Sequence, residues 1–87
     1  MRVSQDPKFK KSFKSRVSSD RRLVEEYREA LQLFLEDQKN PVLRDHALTG
    51  SMYGYRSFEI ANDLLVVYLI VKEGIILYDI GTHAQVY

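Results

Sequence analysis

The chain has no cysteine. That excludes a disulfide framework, a thiolate zinc site, an iron–sulfur cluster of the usual kind and a cysteine nucleophile, and it suits a reducing cytoplasm. Glycine and proline are scarce, four and two in 87 residues, which argues against collagen-like or low-complexity architecture. With 45% apolar residues, wholesale disorder is argued against too. Long hydrophobic runs are absent: the longest, Leu64 to Val71, is eight residues, against about 20 for a membrane-crossing helix. Met1 to Val17 lacks the apolar core of a secretory signal. The usual metal and phosphate signatures are missing as well, with no HExxH, P-loop, GxGxxG or EF-hand loop. What remains is one globular domain over residues 1–87, a chain that buries roughly 60% of its unfolded surface on folding.

Charge is unevenly spread. Residues 1–22 hold eight basic residues against two acidic ones, a net +6, and the remainder holds five basic against ten acidic, a net −5. A basic block on a small domain is a footprint for phosphate or an acidic partner, or simply a solvated helix face.

Residues 1–5 are compatible with a short strand. Asp6-Pro7 then reads as N-cap and first helical position, and Phe9, Phe13 and Val17 make the apolar stripe of a helix ending near Val17. Ser18-Ser19-Asp20 offers new N-caps. From there Leu23, Tyr27, Ala30, Leu31, Phe34 and Leu35 follow the helical period to about Asp37, before Asn40-Pro41. Over Tyr55–Ile60 the period changes to two, which predicts Arg56, Phe58 and Ile60 on the helix side and Tyr55, Ser57 and Glu59 on the other. Ala61-Asn62-Asp63 is turn-like, Leu64–Val71 reads as a central strand, and Lys72-Glu73-Gly74 closes a hairpin, with Gly74 left-handed, into strand Ile75–Ile80. The expected fold is α+β, β-α-α-β-β-β, an antiparallel sheet with two helices on one face and the other face partly open.

The residues suited to proton transfer near neutrality are His46 and His83, since an unperturbed imidazole titrates near about 6.5. Read in isolation, either is more often an ordinary surface or hydrogen-bonded histidine. The blocks Arg44-Asp45-His46-Ala47-Leu48-Thr49-Gly50, Gly54-Tyr55-Arg56-Ser57, Asp63 with Leu65-Val66-Val67-Tyr68, and Gly81-Thr82-His83-Ala84 ending at Tyr87 together resemble the YafQ-like branch of the RelE superfamily of bacterial toxins. The resemblance covers essentially the whole chain.

It implies a RelE-like fold and the toxin of a type II toxin–antitoxin system in the bacterial cytoplasm. The implied activity is a ribosome-dependent endoribonuclease, an mRNA interferase, that cuts messenger RNA by metal-independent acid–base attack of the ribose 2′-OH. No metal and no cofactor are implied. The implied partners are a cognate antitoxin, the ribosome and mRNA, with operator DNA reached only through the antitoxin and no membrane contact. Carried over by motif, His46 is a proton-transfer residue, most simply the base, or a loop histidine capping backbone. Asp63 orients or charges a histidine, or serves turn chemistry. His83 is the acid or a phosphate contact, and Tyr87 stacks on a base or merely packs.

Two positions depart from the family pattern. Glu59 stands where it has a second histidine, and Asp79 where it has an arginine for the scissile phosphate. The family topology brings Asp79 near Glu59 and His83, so a cluster of Glu59, Asp63 and Asp79 is expected, repelling phosphate and favouring a protonated imidazole. Glu59 is then a candidate replacement base. Lys8, Lys10, Lys11, Lys14, Arg21, Arg22 and Arg56 are the RNA- and ribosome-binding candidates, although Arg56 falls on the helix side and reads first as a structural cation reaching a carboxylate. The competing function is a catalytically weakened RelE-like module that serves as antitoxin partner in a DNA-bound repressor complex.

Overall fold

In the computed structural model, which describes residues 1–87, Asp6 accepts the Lys8 backbone N–H at 2.8 Å and Pro7 opens helix α1, Pro7–Arg16. Asp20 caps helix α2, Arg21–Glu36, by accepting the N–H groups of Arg22 and Leu23 at 3.0 and 3.2 Å. Each cap satisfies donors that the first helical turn leaves without partners, an effect of about 1 kcal/mol. The helices therefore start where the sequence predicts.

Five strands form one sheet, in the spatial order β1 (Arg2–Gln5), β5 (Gly74–Gly81), β4 (Leu64–Val71), β3 (Arg56–Ala61) and β2 (His46–Ala47). The meander of β3, β4 and β5 is antiparallel, as expected. Two features correct the expected sheet. β1 lies parallel to β5, so the sheet is mixed, and the two-residue β2 adds an antiparallel edge beyond β3. Gly74 is not left-handed either: the positive-φ glycines are Gly50 and Gly54. Its role is close approach, since a Cβ there would lie 1.9 Å from the Arg2 carbonyl oxygen of β1.

α1 and α2 cover one face of the sheet. Phe9, Tyr27 and Phe34 from the helices pack there on Phe58, Val66, Tyr68, Leu77 and Ile80. The other face carries a smaller apolar patch of Leu48, Leu65, Val67 and Val86. A short helix α3, His83–Val86, closes the chain, and Thr82 and Gln85 form a reciprocal capping box at its start.

Candidate functional site

Register across the sheet sets His46 opposite Ser57, Ser57 opposite Val67 and Val67 opposite Asp79. Directly opposed residues share a face, so these four side chains form one row across the face that α1 and α2 leave uncovered. His46 is exposed, and its Nδ1–H donates to the Arg44 carbonyl at 2.8 Å. A carbonyl can only accept, so the lone pair of the neutral ring is on Nε2.

The capping box of α3 places His83 over the β3–β4 turn, where Asp63 takes a left-handed φ of 59°. One oxygen of Asp63 accepts both the His83 Nδ1–H, at 2.6 Å, and the His83 backbone N–H, at 3.0 Å. These bonds hold the exposed Asp63 carboxyl below its ordinary range. The Tyr87 ring lies edge-on to His83, centroids 5.7 Å apart, and its hydroxyl is 3.1 Å from Ser57 Oγ. A continuous path of contacts thus runs Asp63, His83, Tyr87, Ser57, with His46 as the cross-strand neighbour of Ser57.

Aromatic rings and a shallow dent surround these residues. Leu48, Thr49, Ser51, Met52 and Tyr87 line a dent of about 240 Å³. Tyr55 and Tyr78 pack at 4.7 Å between centroids, and Lys8 Nζ lies 4.8 Å from the centre of the Tyr78 ring. No three His, Asp or Glu side chains converge as a metal site.

The expected cluster of three carboxylates is not formed. Asp79 is 2% exposed and sits between two cations of α1, 3.4 Å from Arg16 Nη1 and 3.7 Å from Lys8 Nζ. A bulge opposite Val67 and Tyr68 inserts Tyr78, so Asp79 comes opposite Val67, on the face of Glu59, but its carboxylate is taken up by Lys8 and Arg16 of α1. Glu59 lies 3.9 Å from Arg44 Nε and shares a shallow concavity with Arg44 and Asp63.

Among the basic candidates, Lys10, Lys11, Lys14 and Arg21 are exposed and form no ion pair. Lys8 is held by Asp79, and Arg22 by Glu26 at 3.0 Å. Arg56 lies on the helix side and gives Nε and Nη2 to Asp45 at 2.9 and 2.5 Å. Sequence reasoning missed Ser57, Arg16, Asp45 and Tyr68. Alternation gives the side on which Ser57 lies, but its partner comes from the fold-back of α3. Asp45 was in plain view beside His46, and Tyr68 looked like one more core residue.

A family model for the bacterial toxin of the type II toxin–antitoxin system, YafQ, matches residues 1–87. YafQ from Escherichia coli superposes with a TM-score of 0.81 at 20% identity, covering 99% of this chain and 97% of that one. The E. coli DinJ–YafQ toxin–antitoxin complex gives 0.78 at 21% identity, covering 99% and 96%. A metal-bound toxin from Helicobacter pylori gives 0.75 at 29% identity, covering 98% and 97%. No curated protein matches the chain. A family match over every residue, joined to the same fold in these toxins, makes this chain a member of the YafQ family of bacterial type II toxin–antitoxin toxins.

Proposed function

We propose that the protein is a ribosome-dependent endoribonuclease that cuts messenger RNA by transphosphorylation. The observation that carries this reading is the contact path from Asp63 through His83 and Tyr87 to Ser57, beside His46. His46 Nε2 accepts the proton of a ribose 2′-OH, whose oxygen attacks the adjacent phosphorus. The bond from phosphorus to the 5′-oxygen breaks, and His83, its Nδ1–H fixed on Asp63, donates the Nε2 proton to that oxygen. The products are a 2′,3′-cyclic phosphate and a 5′-hydroxyl. Tyr87 stacks on an unpaired base, Arg16 and Lys8 lend positive charge at the far end of the row, and the unpaired lysines of α1 hold RNA phosphates. Glu59, at the rim and beside Arg44, is a reserve base.

The complex of the E. coli relative with DinJ supports an antitoxin as this chain's partner too; any contact with operator DNA would be made only through that antitoxin. A weaker nuclease, kept mainly as an antitoxin partner, is favoured by one observation: Glu59 puts a carboxylate on the face where a phosphate must sit, and the buried Asp79 takes up the charge of Lys8 and Arg16. Induction in a host lacking the antitoxin separates the two. The nuclease reading expects growth arrest and new message ends in a translation-coupled assay, both relieved by His83→Ala. Absence of arrest and of new ends with the wild-type protein removes it.

A further inference from the structure

His46 stands in a strand of two residues at an open sheet edge, and so little pairing does not by itself hold a side chain in one place. The residue before it is held far more firmly. Asp45 leads directly into that strand, and successive side chains point to opposite sides, so fixing Asp45 on the helix side aims His46 at the open face. The Asp45 side chain is 6% exposed. Arg56 donates to it through Nε and Nη2, and the Tyr68 hydroxyl donates to its other oxygen. The Tyr68 oxygen in turn accepts from Gln38 Nε2 at 3.1 Å, just beyond the end of α2. β3 and β4 therefore converge on one carboxylate, and the segment after α2 braces the tyrosine that holds it. Arg56 lies opposite Ala47 on one side and Tyr68 on the other, which puts the clamp directly beneath the strand that carries His46.

A second observation lies on the other side of Asp45. Arg44 has φ 48°, a left-handed conformation that residues with a Cβ avoid. That conformation accompanies the bond from His46 Nδ1–H to the Arg44 carbonyl. A backbone held away from its preferred region persists only where its surroundings over-determine it. The anchored Asp45 is the adjacent constraint.

We infer that Asp45, Arg56 and Tyr68 are positioning residues for His46. By anchoring Asp45 they hold Arg44 in its left-handed turn, commit His46 Nδ1 as a donor to the Arg44 carbonyl, and leave Nε2 as the nitrogen that accepts a proton. The catalytic meaning of this device rests on the ribonuclease reading; the choice of tautomer does not.

The test is ¹⁵N NMR of the His46 ring in the full chain, above the histidine titration, for wild type, Asp45→Asn and Tyr68→Phe. The neutral wild-type ring is expected to carry its proton on Nδ1. In Asp45→Asn the ring should move toward the Nε2–H form that free histidine prefers, with Tyr68→Phe in between because Arg56 still holds the carboxylate. A clamp that merely stabilised the fold would leave the tautomer of folded molecules unchanged. Single-turnover cleavage by Asp45→Asn should fall at least tenfold with message binding unaltered. If Asp45→Asn does not fold, Tyr68→Phe, which loses one oxygen, carries the same readout. A wild-type ring protonated on Nε2, or the same tautomer in both variants as in wild type, overturns the inference. Wild-type cleavage by a variant whose tautomer has shifted overturns it too. A wild-type protein that shows the Nδ1–H form, loses it in Asp45→Asn and yet cuts no message leaves the clamp standing and overturns the ribonuclease reading.

Discussion

On the helix-covered face thirteen buried residues pack together, among them Phe34, Phe58 and Tyr68, whose ring centroids lie 4.5, 4.9 and 5.9 Å apart. On the opposite face the buried apolar cluster has four members, and His46, Ser57 and Asp79 stand in one row beside it. Apolar burial stabilises in proportion to area, so the first face carries most of the fold's stability and the second is free to carry polar chemistry. Asp45 and His46, consecutive in the chain, belong to different faces. The difference teaches that the exposed polar residues of the second face, such as His46, should be replaceable with little loss of fold, whereas the buried residues of the first should not.

The largest effect that sharpens this contrast is on rate. Replacing His46 or His83 by alanine should lower cleavage by about 10²–10⁴-fold, the usual contribution of a general acid or base, with the thermal midpoint nearly unmoved. Primer extension on a translated message, read beside a melting curve, checks both halves. A collapse of stability in either variant would break the contrast.

Phe34→Ala should do the reverse. Phe34 is 1% exposed and stacked on Phe58, so its truncation should cost about 3–5 kcal/mol, measured by urea unfolding, while cleavage per folded molecule stays near wild type. Next comes the basic surface. Changing Lys10, Lys11 and Lys14 together to Glu should weaken ribosome binding and flatten the dependence of log K on log salt by about one unit per lysine. Unchanged ribosome binding by that variant shows the charge block to be incidental.

The smallest effect is a titration. Asp63 is held below its ordinary 3.8 by the side-chain and backbone N–H groups of His83. A carboxyl depressed in the folded state contributes stability that is present above the unfolded value and lost as pH falls through the folded one. NMR titration should therefore place Asp63 below 3.8, and His83→Ala should move it part of the way back, since the backbone donor remains.

Much of the scaffold was legible because it follows local rules. Asp6 and Asp20 announce their helices, the run Leu64–Val71 is the strand it looks like, and Phe58 and Ile60 face the helices by alternation. What stayed hidden depends on distant parts of the chain. β2 has two residues and so no period to detect, and the parallel direction of β1 comes from the path of the helices between it and the sheet. Gly74 reads as a turn glycine until β1 is seen crossing it. Asp79 was expected in a carboxylate cluster, and its two cationic partners, Lys8 and Arg16, come from a helix more than 60 residues away in the chain. In the site itself, the motifs point to His46, Asp63, His83 and Tyr87, but the contacts between them needed coordinates. The clamp was invisible for a similar reason: Asp45 and Tyr68 are far apart in sequence, and a tyrosine in an apolar run reads as core.

The most direct measurement uses a ribosome programmed with a message whose cleavage site carries either a ribose or a 2′-deoxyribose, followed by analysis of the cut ends. Transfer of a proton from the 2′-OH to one imidazole and to the leaving oxygen from the other predicts a 2′,3′-cyclic phosphate and a 5′-hydroxyl from the ribose message, and no cutting of the deoxy one. Cleavage of both messages at the same rate, or ends bearing a 5′-phosphate, would contradict the account.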